Sequence, residues 1–240
     1  MLILAMESSA KPASVAVYAD GVLLGQYFQN CGLTHSRTLL AMAESLLKNL
    51  GVPAADIGLV AVSHGPGSFT GVRIGVSAAK GLAWGLDKPV CGVSTLEAMA
   101  HQAPGPGVLL CPVMDARRSQ VYNALFMWHD DTLVRLCEDR AISLEDLAED
   151  IRVRCIAPGS INNISAPAAP CLLIGDGATI GHDFLSTCGI PSRIAPELIR
   201  WQTAYGVALA ACHTEPIPAI DLEPSYLRPS QAERERAARG

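Results

Sequence analysis

Residues 63–85 read SHGPGSFTGVRIGVSAAKGLAWG, a glycine-punctuated turn running straight into a helix. Gly65 and Gly67 bracket Pro66, and Ser68 or Thr70 is suited to cap the helix that follows, expected over residues 70–85. Gly71, Gly75, Ala79 and Ala83 then recur every fourth residue and so share one helix face. A face without bulky side chains lets another backbone come close. Arg73 and Lys80 interrupt the run and argue against a helix pair inside a membrane. Two uses stay open: the loop cradles a phosphate, or the helix seats a partner helix.

Working outward, residues 57–65, IGLVAVSHG, read as the buried strand that delivers this turn. Upstream, the apolar runs around LILAM, SVAVYADG and VLLGQYF predict three strands. Asp20 and Gly21 mark a hairpin between the second and third. Thr34 or Ser36 opens a helix to about Leu50, with Leu39, Leu40, Ala43, Leu46, Leu47 and Leu50 on its apolar face and Gly51 as its stop. Residues 88–93 predict another strand, and Ser94 or Thr95 opens a helix with Glu97 near a capping-box position. The Pro/Gly-rich segment QAPGPG, residues 102–107, is the best internal boundary. Beyond it come a strand ending in MDAR, a second hairpin made of VYNALFMW and TLVRLCEDRAI, and a short helix over 143–151. A loop over 157–170, a strand and turn in CLLIGDGA, and a helix over 201–213 follow. The element order repeats across the boundary, although the residues do not. It predicts an α/β protein with mixed sheets in two lobes, 1–102 and a smaller 108–200. Residues 201–228 return to the first lobe, and 229–240 form a charged tail.

The chain has 240 residues, half of them apolar and 17% charged, enough to bury a core and too apolar for wholesale disorder. Its net charge of -5 does not match the basic balance of a nucleic-acid binder, so no strong direct nucleic-acid binding is expected. Arg117 with Arg118, Arg152 with Arg154, and Arg234, Arg236 and Arg239 read as solvated surface. The eight cysteines stand singly, without a C-x-x-C pair, as free thiols of a reducing cytoplasm would. The start MLILAMESS lacks a basic n-region, and its apolar run is too short to span a bilayer.

Chemistry-bearing patterns are few. No histidine pair has H-x-x-x-H spacing, and no G-x-S-x-G elbow or G-x-x-x-x-G-K-[ST] loop is present. Phosphate binding is the remaining option. Its candidates are Glu7 after the first strand, Gly65 and Gly67 in the glycine turn, and Gly175 and Gly177 around Asp176. Plain strand-connecting turns explain the same residues equally well.

Taken together, GPGSFTGVRIGVSAAKGLAWG, LILAMESSA with SVAVYADG, THSRTLLAMAESLL, MDARRSQVY at 114–122 and PSYLRP at 224–229 resemble the TsaB family. That family is the non-catalytic subunit of the bacterial system that makes threonylcarbamoyl-adenosine in tRNA. The resemblance covers residues 1–125 well and 170–229 more loosely. It implies the two-lobed actin-like ATPase (ASKHA) fold with a reduced second lobe. It also implies a scaffold without catalysis or cofactor of its own, in the cytoplasm. Its partners would be the catalytic paralogue TsaD and the ATPase TsaE, reached through the helices at 34–50 and 70–85. The interface candidates are His35, Leu39, Met42, Gly71, Val72, Gly75 and Ala79, and the same helices suit a homodimer. The two metal-binding histidines of TsaD fall here on Thr95 and Met99, which make a poor divalent-metal site. The alternatives are an independent actin-like ATPase or phosphotransferase and, last, a metallopeptidase.

Overall fold

Continuous apolar runs make strands that are covered on both faces. LILAME forms β1 (Leu2–Glu7) and ASVAVYA forms β2 (Ala13–Ala19), both buried almost throughout. In this computed structural model the described residues are 1–228, apart from 104, 106, 118, 157–159, 162–163 and 166–169. The expected tail 229–240 and much of the expected loop 157–170 lie outside them. Asp20 and Gly21, both left-handed, turn β2 into the edge strand β3 (Val22–Gln29). Then come α1 (His35–Leu50), β4 (Leu59–Gly65), α2 (Phe69–Leu86), β5 (Val90–Ser94) and α3 (Thr95–His101). The sheet order is β3-β2-β1-β4-β5, with β1, β4 and β5 parallel. Thr34 precedes α1, and Gly51 closes it in the left-handed conformation. Ser68 caps α2 by accepting from the Gly71 N–H, and Ser94 caps α3 by accepting from the Glu97 N–H.

The second sheet is built from shorter strands. It contains β6 (Leu110–Arg117), β7 (Gln120–Asn123), the hairpin β8 (Phe126–His129) and β9 (Thr132–Arg135), and β10 (Arg140–Ser143). After α4 (Leu144–Ile156), β11 (Ser160–Ile161) pairs with β12 (Ile164–Ser165). β13 (Cys171–Ile174), α5 (Ala178–Thr187), β14 (Ser192–Ile194) and α6 (Glu197–Arg200) complete the lobe, with main order β10-β7-β6-β13-β14. α7 (Ala204–Ala211) then returns to the first sheet and packs on β1 and β2 opposite α1 and α2.

Three expectations change here. VYNALFMW is not one hairpin arm: β7 joins β6 and β10, and only β8 pairs with β9. Consecutive Ala124 and Leu125 are both fully buried, which breaks strand alternation, and Leu125 bonds through its backbone to Leu136 and the Cys137 thiol. The short helix expected over 143–151 runs on to Ile156, carried by the Arg152–Glu149 and Arg154–Asp150 pairs along its surface. α5 and β14 had no counterpart in the sequence reading.

The first sheet buries Met6, Val62, Val72 and Ala79 on its α1/α2 side and Ile3, Ala5, Cys91 and Val207 on its α7 side. A third cluster joins the lobes, with Leu96 and Met99 of α3 against Leu110 and Phe126 of the second sheet. Among the described residues no helix is long and apolar enough to cross a membrane.

Candidate functional site

The turns at the ends of both central sheets converge on a cleft of about 670 Å³ between the lobes. From the first lobe come Ser9, Ala10 and Lys11 of the β1–β2 turn and residues 66–70 of the glycine turn. From the second come Asp115 and Arg117 at the end of β6, Tyr122 of β7, and Asp176 after β13. Residues 225–228 complete the wall. The structure thus brings the two glycine turns to one cleft, through Gly67 on one side and Asp176 on the other.

The glycines themselves do other work. Any Cβ on Gly71 would collide with the Ser8 carbonyl, and one on Gly75 with the Ser8 hydroxyl and Val62. One on Gly67 would strike Ser9, whose carbonyl accepts from the Ser68 N–H at 2.7 Å. The glycine turn is therefore packed against the β1–β2 turn, which leaves no room for a side chain at these three glycines. Gly65 is closed off by Ser225, and Gly175 and Gly177 lie against the backbone of β6. Of the phosphate candidates, only Gly67 lines the cleft.

Glu7 is fully buried and does not face the cleft. Its Oε1 accepts from the Ser9 N–H at 2.5 Å, while its Oε2 and the neighbouring Ser9 and Ser63 hydroxyls lack partners. Burial raises its carboxyl above the ordinary range, against the smaller opposing effect of the Ser9 N–H that donates to it. It is no magnesium ligand as placed. Thr95 and Met99 are also buried, Met99 in the cluster that joins the lobes. They do not fit a divalent metal, and among the described residues no three His, Cys, Asp or Glu side chains gather as a ligand set.

What the cleft does present is charge. Lys11, Arg117 and Arg228 stand on its walls, and none enters an ion pair among the described residues. Asp176 accepts from Gln202 Nε2 at 3.1 Å, and burial raises its carboxyl, helped by the nearby Asp115 charge. Arg117 holds a left-handed backbone (φ 63°), set by the Asp115 carboxylate accepting from its N–H at 2.6 Å. In the sequence Arg117 reads as solvated surface, and no pattern there marks Lys11, Asp115 or Arg228 as part of a site. Lys11 lies in the turn between β1 and β2 and Asp115 at the end of β6, whereas Arg228 stands in the segment after α7, next to no strand.

The helical face needs the largest correction. Leu39, Gly71, Val72, Gly75 and Ala79 are buried inside their own lobe. His35 is held through a ring nitrogen to the Ala10 carbonyl at 2.8 Å, and Met42 packs on the same core. The five buried ones cannot meet a partner as placed, because the small-residue face of α2 is what lets the helix sit down on β1 and β4, whereas His35 and Met42 are half-buried. The opposite side of α2 carries a second small stripe, Ser77, Gly81 and Gly85, with Trp84 83% exposed beside it. A Cβ on Gly81 or Gly85 would meet nothing within 4 Å. α1 lies alongside α2 and exposes Leu40 and Ala41.

Residues 29–198 match the family model described as TsaD, tRNA N6-adenosine threonylcarbamoyltransferase. The Bacillus subtilis tRNA threonylcarbamoyladenosine biosynthesis protein TsaB is 30% identical over 97% of this chain and 96% of its own. The protein of the same name from Haemophilus influenzae is 36% identical over 95% and 94%. The crystal structure of YeaZ from Pseudomonas aeruginosa superposes with a TM-score of 0.73 at 25% identity, covering 94% of this chain and 99% of that one. The two-lobed actin-like architecture expected from the sequence is the observed one.

Proposed function

Because the chain belongs to the TsaB family, we propose that it acts in tRNA threonylcarbamoyladenosine biosynthesis as a scaffold that pairs with the TsaD-type catalytic subunit and does no chemistry itself. The observation that carries the pairing is the outward side of α1 and α2. There Leu40 and Trp84 are exposed around a stripe of small residues open to another helix. Small residues let helix backbones approach, and a large exposed aromatic beside them is the usual form of an interface anchor. The absence of catalysis in this reading is supported by Glu7, Thr95 and Met99, which are drawn into the core. A TsaE-type ATPase would join the assembled pair, and a homodimer through the same face is the natural state of the chain without its partner.

Light scattering behind a sizing column tests the pairing. The chain mixed with the TsaD-type subunit is expected at the mass of a heterodimer, and Trp84→Glu is expected to abolish that species while leaving the circular dichroism unchanged. A wild-type chain that stays separate at micromolar concentration would refute a two-component interface. Gly75 is a poor choice for such a test, since any side chain there disrupts the lobe before the interface.

One observation favours a second reading, an independent ATPase: the three cations on the cleft wall. Titration calorimetry with magnesium-ATP decides it, and no heat at millimolar nucleotide removes it.

A further inference from the structure

We propose that residues 225–228 form a latch across the mouth of the interlobe cleft, and that Arg73 on α2 holds the latch in place. After α7 the chain runs as a strap along the first lobe. Val90 and Ile217 exchange backbone hydrogen bonds at 2.9 and 2.8 Å. Lys80 Nζ donates to the carbonyls of Ile220 and Leu222 at 2.8 and 3.0 Å, and the Leu222 side chain is buried in the core. The Ser225 N–H donates to the His64 carbonyl at 2.7 Å. To this point the strap belongs wholly to the first lobe.

Beyond Ser225 the contacts change character. The Tyr226 ring stacks on Phe69 with centroids 4.7 Å apart, and its hydroxyl accepts from Arg73 Nε at 2.9 Å. The Arg73 guanidinium itself lies 4.1 Å from the centroid of Phe69. Two residues later Arg228 Nη1 donates to the Ala116 carbonyl at 3.2 Å, near the end of β6 in the other lobe. Elsewhere the lobes are joined by the α3 cluster and by Arg135, which pairs with Glu97 of α3 and with Asp139. Ala116 lines the cleft mouth, so a bond there restrains opening more effectively than an equal bond close to the α3 cluster. Tyr226 is the rigid element that aims Arg228, because its ring and its hydroxyl are both fixed to the first turns of α2.

The geometry gives α2 two mechanical roles at once: its inner side seats the helix on the sheet, and Arg73 on its outer side governs the cleft. A partner that engages Arg73 would release Tyr226 and let the lobes part. That consequence rests on the pairing reading, whereas the latch is read in the free chain, so the two fail separately.

Hydrogen exchange of the full chain, read by mass spectrometry, tests the latch. Arg228→Ala is expected to speed exchange of amides in 115–123 and 225–228 roughly tenfold, the effect of losing one charge-assisted hydrogen bond, with β1 and α1 unchanged. Tyr226→Phe keeps the stack and loses only the Arg73 bond, and is expected to give a smaller rise in the same two segments. Small-angle scattering should show a larger radius of gyration for Arg228→Ala. These side chains are partly solvent-facing, so folding is not at stake, and the thermal midpoint of each variant verifies it. Unchanged exchange in 115–123 in Arg228→Ala would overturn the latch. So would a rise spread evenly over both lobes.

Discussion

The two turns that face each other across the cleft follow similar strands and end up in opposite conditions. The first, after β1, is filled from behind: Ser8 and Ser9 touch Gly71, Gly75 and Gly67, and Glu7 is sealed beneath them. The second, after β6, stays open, with Asp115, Arg117 and Ser119 exposed and two left-handed residues, Arg117 and Ser119, shaping it. One turn is determined by what packs on it and the other by its own local hydrogen bonds. A residue's place at the end of a central strand therefore does not decide whether it serves a ligand. What decides is whether a neighbouring helix carries small residues that let it approach.

Substitutions on the two sides should differ sharply. Gly71→Leu, on the closed side, sets a side chain against the Ser8 carbonyl and is expected to cost about 3 kcal/mol or more, enough to lower the thermal midpoint severely. Calorimetry measures it, and a midpoint within a few degrees of wild type would mean the closed turn is softer than its packing indicates. Glu7→Gln has the next largest effect and the opposite sign. At neutral pH it removes a buried charge and is expected to stabilise by about 1–2 kcal/mol. Because burial raises this carboxyl above its unfolded value of 4.5, the folded chain binds the extra proton first. The stability this supplies to the wild type is fully present below 4.5 and is lost as pH rises through the elevated value. The gain from Glu7→Gln should therefore shrink on acidification, and a gain constant between pH 7 and 4.5 would contradict the assignment. On the open side, Arg117→Gly should change stability by no more than about 1 kcal/mol, because glycine adopts the left-handed backbone freely. A larger loss in urea titration would show that the Arg117 side chain is part of the lobe contact.

The element order of the first lobe was legible because its signals are local. Asp20 and Gly21 mark a hairpin by themselves, Gly51 ends a helix by itself, and the fourfold glycine spacing defines a face. Which structure that face meets was not legible, since intrachain and interchain packing demand the same small residues. The cleft was half visible. Its one glycine, Gly67, stood out by type, whereas Lys11, Arg117 and Arg228 are ordinary surface residues until the fold collects them. Distant convergence hid other features as well. His101 and His213 look unrelated in sequence, yet their rings stack 5.2 Å apart, and burial pushes His101 down to about 4. In the second lobe, short strands and a break at Ala124 and Leu125 leave too few alternating residues to set a period.

The double small-residue pattern of α2 has a consequence for the order of folding. Gly71, Gly75, Gly81 and Gly85 sit within one helix of 18 residues, and each disfavours an isolated helix by about 1 kcal/mol relative to alanine. Such a segment is a poor nucleus. It becomes helical once β1 and β4 have paired and offer Ser8 and Val62 as a floor, so destabilising changes along α2 should quicken unfolding and leave the refolding rate almost untouched.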